Sequence, residues 1–197
     1  MTIAEAGKLT VAEFLKAIVG HDGRFELVRG VAYATAGAKE GHNVICSNVL
    51  TALVPAGKQN GCRTTSSDTA VQTGPDTIRY PDIVVDCGPP NAAALTASRP
   101  TIVVEISSPG TVVFDHATKL LEYQSVPSID TILQIESEIA LVKIHRRQPD
   151  GGWAEETIEA LDAAVQLPSL TISITLKEIY DTLDVRPRTR LQVVKPV

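Results

Sequence analysis

The sequence has little that would fix it covalently or hold it in a membrane. Its three cysteines, Cys46, Cys62 and Cys87, are odd in number and show no C-x-x-C spacing. Neither a disulfide framework nor a structural zinc site is therefore expected, which fits a reducing compartment. The first ten residues show no basic start followed by an apolar block and no small-residue cleavage site, so no secretory signal is read. No apolar run reaches the roughly 18 residues of a membrane span. These absences predict a cytoplasmic protein with no membrane partner. A surplus of positive charge is also missing. The 18 Lys+Arg face 23 Asp+Glu, a formal net charge of -5, which argues against indiscriminate affinity for nucleic acid but leaves room for a locally basic groove. There is no internal repeat and no low-complexity segment.

What is present is ordinary globular composition: 197 residues, 44% hydrophobic and 21% charged, enough for one substantial core and too little for a second full domain. We expect one domain over residues 1–185. A basic, proline-containing tail over 186–197 carries Arg186, Arg188, Arg190 and Lys195 and is expected to be irregular.

Periodicity gives the elements. Residues 10–19 open with Thr10 as N-cap and Glu13 three positions on, and place Val11, Phe14, Leu15 and Ile18 on one helical stripe. Residues 24–34 surround Gly30 with β-prone side chains and read as a hairpin or bent strand. A second helix, over 42–54, stops before Pro55. From residue 62 the period changes to two, and 63–72, 78–86 and 101–108 read as consecutive strands. A third helix, over about 114–125, is expected to turn Ala117, Leu120 and Leu121 inward. Paired strands at 130–137 and 139–147 follow, with Glu136 to Glu138 as their turn. Asp150-Gly151-Gly152 marks another hairpin, and a short helix covers 176–183. The order is that of a mixed sheet flanked by helices.

Two acids interrupt apolar strands. Alternation puts Ile83 and Val85 on one face and Asp82, Val84 and Asp86 on the other; it likewise separates Ile102, Val104 and Ile106 from Val103, Glu105 and Ser107. An ionised carboxylate in such a strand costs several kcal/mol unless it is paired, hydrogen-bonded or coordinated. Oxygen ligands suit the hard ions Mg2+ and Mn2+. The plainer alternative is that Asp82 caps a strand end while Glu105 pairs with a buried Arg or Lys.

Four segments together carry a resemblance: RFELVRG at 24–30, His42 opening a helix, RYPDIVVD at 79–86, and VVEISSPG at 103–110 followed by Asp115, Lys119 and Tyr123 at four-residue steps. In this order the chain resembles restriction endonucleases of the Uma type, within the PD-(D/E)XK nuclease superfamily, from about residue 10 to residue 183. The resemblance implies a restriction-endonuclease-like fold (α/β, a central mixed sheet flanked by helices), a DNA substrate, Mg2+ or Mn2+ as cofactor, and a homodimer. It also implies that Asp82 bridges the metal, that Glu105 is the second acidic ligand, and that Glu26 stands for an additional acid from the N-terminal region.

The chain departs from the superfamily where a lysine is expected two residues after the second acid, because Ser107 stands there. Lys119, one turn past Asp115 on the following helix, is the candidate for a migrated lysine; the plainer alternative is an exposed i,i+4 pair with Asp115 worth a few tenths of a kcal/mol. His42 is a candidate accessory to a site carboxylate, against the commoner case of a core histidine. Tyr123 reads as packing, and His116 and His145 carry no surrounding signal. Ser47, Ser107 and Ser108 lack the partners of a nucleophilic serine. The implied reaction is metal-assisted phosphodiester hydrolysis in DNA. The alternatives are a lapsed enzyme of the same fold that binds nucleic acid or protein, and a metal-dependent hydrolase acting on another substrate.

Overall fold

The computed structural model describes residues 7–35, 37–107 and 113–186, the first three residues of one helix (113–115) by backbone alone. Helix α1 (Val11–Ile18) starts on a capping box in which Thr10 Oγ1 accepts from the Glu13 N–H and the Glu13 carboxylate accepts from the Thr10 N–H. Two antiparallel strands follow, β1 (Phe25–Val28) and β2 (Val31–Ala34), turned by Arg29 and Gly30, both at positive φ. A glycine there avoids the left-handed penalty that a Cβ would incur.

Helix α2 (Glu40–Gln59) runs straight through Pro55, five residues beyond where the sequence predicts its end. The proline removes one backbone donor, but Leu53 and Ala56 on either side of it are buried against the sheet, and that packing outweighs the lost bond. The period-two stretch after residue 62 is not three strands. It divides into β3 (Arg63–Ser66), β4 (Val71–Gly74), β5 (Thr77–Arg79), β6 (Ile83–Asp86) and β7 (Pro100–Ser107). These serve two sheets: β2-β1-β5-β4 forms a small one, and a six-stranded sheet runs β10-β9-β8-β7-β6-β3, where β8 is Thr131–Glu136, β9 Val142–Arg147 and β10 Trp153–Ile158. Pro81, between β5 and β6, lets the chain leave one sheet for the other.

Only β7 and β8 pair in parallel within the large sheet, and helix α3 (Val113–Ser125) is the crossover that parallel pairing demands. The two faces of the large sheet follow the predicted parity. Ile83, Val85, Ile102, Val104 and Ile106 pack with α2, whereas Val84 and Val103 pack with Tyr123 of α3. Helix α3 is rotated from the expectation: Leu121 is 68% exposed and Ala117 is exposed, while Tyr123 is fully buried. A two-stranded ribbon, β11 (Ala164–Leu167) and β12 (Ile172–Thr175), and the short α4 (Leu176–Ile179) close the α2 side; the ribbon is an element that the sequence pattern does not predict. No described helix is long and apolar enough to cross a membrane.

One covalent feature overturns the cysteine reading. Cys62 and Cys87 form a disulfide. They stand one step beyond the Arg63↔Asp86 pair of the β3–β6 ladder, a cross-strand neighbourhood that a separation of 25 residues in sequence does not disclose. Cys46 is free, and burial pushes its thiol up to about 11.

Candidate active site

Asp82 enters β6 one step before the Ile83↔Val104 pair, which sets it beside Glu105 on β7. Its Oδ2 accepts a 2.7 Å hydrogen bond from the Ile106 N–H. Its Oδ1 lies 3.0 Å from His42 Nε2 in the first turn of α2. The hydrogen bond to Asp82 and the negative charges of Asp82 and Glu105 raise the His42 pKa against the effect of burial. His42 is therefore a partner of a site carboxylate and not a core histidine.

Glu105 is buried, and burial is the leading cause that lifts its pKa to about 7; the Lys119 ammonium opposes the shift, and Asp82 adds to it. Its Oε1 accepts a 2.6 Å hydrogen bond from the Tyr123 hydroxyl and lies 3.8 Å from Lys119 Nζ. Tyr123 thus does more than pack. Lys119 in turn donates to Glu26 Oε1 at 2.9 Å, with only 13% of its side chain exposed. It is not a surface lysine, and its position between Glu26 and Glu105 comes from the rotation of α3.

Glu26 belongs to the small sheet. Arg79 Nη1 donates to its Oε2 at 2.7 Å, and the Tyr80 N–H to its Oε1 at 3.3 Å. Arg79 also grips Glu122 through Nε and Nη2 at 2.6 and 3.1 Å. Burial works against the guanidinium charge, but the two carboxylates outweigh it and the net shift is upward. The result is an ionic chain Glu122–Arg79–Glu26–Lys119–Glu105 that ties the small sheet to α3 and the large sheet. Glu122 carried no signal in the sequence, and Arg79 showed only as the first residue of RYPDIVVD, because the roles of both lie in contacts between elements.

The remaining candidates divide. Ser107 is buried at the end of β7, where its carbonyl accepts from the Ser137 N–H. The side chain of Asp115 lies outside the described residues, as do 187–197 of the expected tail. Among the described residues no group of three His, Cys, Asp or Glu side chains is arranged to hold a metal ion. Asp82, Glu105, Glu26, His42 and Lys119 all line one cleft of about 1130 Å³. Two adjacent carboxylates with no further protein ligand suit a hard divalent cation that keeps much of its shell as water or substrate oxygen, and they do not suit zinc.

A mixed sheet flanked by helices, with an acid at the start of one central strand and another inside its neighbour, is the restriction-endonuclease-like class of fold. The chain belongs to the Uma2 family, described as "Putative restriction endonuclease", whose pattern matches residues 11–177. It is similar to the protein slr1290 of Synechocystis sp. (strain ATCC 27184 / PCC 6803 / Kazusa), 26% identical over 175 residues that cover 88% of this chain and 92% of that one. It is also similar to a solved structure, a "putative nuclease belonging to DUF820" from Anabaena variabilis ATCC 29413. The TM-score is 0.72 at 21% identity, over 87% of this chain and 97% of the other.

Proposed function

We propose that this protein is a divalent-metal-dependent endonuclease that hydrolyses phosphodiester bonds in DNA, with Asp82 and Glu105 as the ligands of Mg2+ or Mn2+ and Lys119 in the place of the absent lysine at position 107. The observation that carries the reading is the position of the Lys119 ammonium, 2.9 Å from Glu26 and 3.8 Å from Glu105, in the same cleft as Asp82.

The chain's own groups divide the work. The Ile106 N–H and His42 orient Asp82, and Tyr123 orients Glu105. Glu26, itself fixed by Arg79, holds Lys119 at the cleft, where its ammonium steadies an attacking water and the charge that develops on the phosphate. A divalent cation, when bound, supplies Lewis-acid charge that the two carboxylates alone cannot. Burial favours the protonated form of Glu105, and a divalent cation beside it would favour the ionised form, so proton and cation compete for this carboxylate. By family resemblance the working unit is a homodimer.

The test is melting with EDTA and with Mn2+ at about 100 times its Kd, followed by cleavage assays on DNA. Mass action gives about 2.7 kcal/mol, or roughly 5–10 °C for a chain of this size. The rise is expected in the wild type and absent in Glu105→Gln, and cleavage is expected to stop with EDTA. A wild type without a metal-dependent rise would overturn the reading in favour of a lapsed enzyme that binds without cutting.

A further inference from the structure

Tyr33 stands directly opposite Glu26 in the β1–β2 ladder, and residues opposite each other in an antiparallel pair project from the same face. Its phenol therefore rises beside the acid that holds Lys119. Both side chains line the cleft, yet Glu26 is 5% exposed and Tyr33 55%. Leu95, which also lines the cleft, is 43% exposed. Among the described residues no aromatic ring stacks on Tyr33, whereas the neighbouring Phe25 is met edge-on by His21. An aromatic ring on a two-stranded hairpin, fixed by four paired residues and open to a cleft, is a platform without its planar partner.

The charges of the cleft narrow what that partner is. Four Lys and Arg side chains line it: Lys39, Arg79 and Lys119 each face a carboxylate within 3.2 Å, and Arg24 is exposed. With a net charge of -5, few cations remain to neutralise the two phosphate backbones that duplex binding requires. Stacking of an unpaired base on an aromatic ring needs no such surplus.

We infer that Tyr33 is the stacking platform for an unpaired nucleobase next to the scissile phosphate, so that the preferred substrate is single-stranded DNA or a strand with an unpaired base. The inference deepens the nuclease reading and rests on it. Tyr33 is a substrate-positioning residue here, acting on the base while the phosphate meets the carboxylates.

Fluorescence of a single strand of about 12 nucleotides carrying one 2-aminopurine, titrated with protein in EDTA, reads stacking directly and does not depend on cleavage. We expect quenching with the wild type and with Tyr33→Trp, and roughly 5- to 150-fold weaker binding without quenching in Tyr33→Ala, the range of one stacked base. The fully paired duplex is expected to bind less tightly than the strand. In Mn2+, Tyr33→Ala should raise KM for the strand and leave kcat unchanged. Equal binding by wild type and Tyr33→Ala, or a wild-type preference for duplex, overturns the inference. Metal-dependent cleavage of duplex that is indifferent to Tyr33→Ala would leave the nuclease reading standing and remove the platform; quenching that needs Tyr33 without cleavage of any DNA would do the reverse.

Discussion

Replacing Lys119 by Met keeps the length of the side chain and removes its charge from between two buried acids. Above pH 7 the wild type holds an ionised Glu105 against the ammonium at 3.8 Å. The variant leaves that carboxylate either uncompensated or forced to take up a proton. Removing one partner of a buried pair costs about 3 to 5 kcal/mol, and for a chain of this size that is roughly 6–20 °C in Tm. Below about pH 5 the balance differs. Glu105 is then neutral in both proteins, and Glu26 keeps its bonds from Arg79 and the Tyr80 N–H. The Lys119–Glu26 hydrogen bond is lost, about 1.5 to 3 kcal/mol. Urea unfolding of both proteins at about pH 5 and about pH 9 is the assay, and the loss is expected to deepen as pH rises. A loss of a few tenths of a kcal/mol, as an exposed pair with Asp115 would give, or one that is equal at both pH values, would refute the reasoning.

Other outcomes follow from the same groups. The folded pKa of Glu105 lies above its ordinary 4.5, so its contribution to stability is fully present below about pH 4.5 and is lost as pH rises through about 7. For the same reason Mn2+ must displace a proton below about pH 7, and its affinity by calorimetry should rise about tenfold per unit up to that point and then level off; a flat profile from about pH 5 to 8 would contradict the buried, proton-holding Glu105. Tyr123→Phe deletes the 2.6 Å donor to Glu105, which should cost about 1 to 3 kcal/mol in urea unfolding and move the midpoint of the Mn2+ profile to higher pH. Glu26→Gln should weaken the hold on Lys119 and leave Mn2+ affinity within a few fold, since Glu26 contacts neither proposed ligand; loss of Mn2+ binding would make Glu26 a ligand instead.

How far the site is legible in the sequence can be judged from its parts. The inward acids of β6 and β7 show in the alternation itself, because each is the polar exception in a run whose other face is apolar. The same parity separates the α2 and α3 sides of the sheet. The division of residues 63–86 between two sheets does not show, because period two marks strands and says nothing of which neighbours they choose. Helix α3 misleads for a related reason. Its apolar stripe suggests Leu121 as core, but Lys119 and Tyr123 turn inward because acids from β1 and β7 wait there, and those acids lie 93 and 18 residues away. The Cys62–Cys87 bond is equally invisible until β3 is laid beside β6. Arg79 shows as one basic residue before Pro81, and only the assembled fold places it between Glu26 and Glu122.

The ionic chain that joins the two sheets makes the site conditional on assembly. Glu26 arrives on a four-stranded sheet with its own small core of Phe14, Leu27, Ala70 and Ile78, which is poor in buried area beside its larger neighbour. Should that sheet lift away, the large sheet would keep Asp82, Glu105 and most of the apolar core, but Lys119 would lose the acceptor that aims it and Arg79 one of its two carboxylates. A partly folded or damaged chain of this kind keeps its shape where it is thickest and is disarmed at the cleft, so the chemistry proposed here is available only to the complete protein.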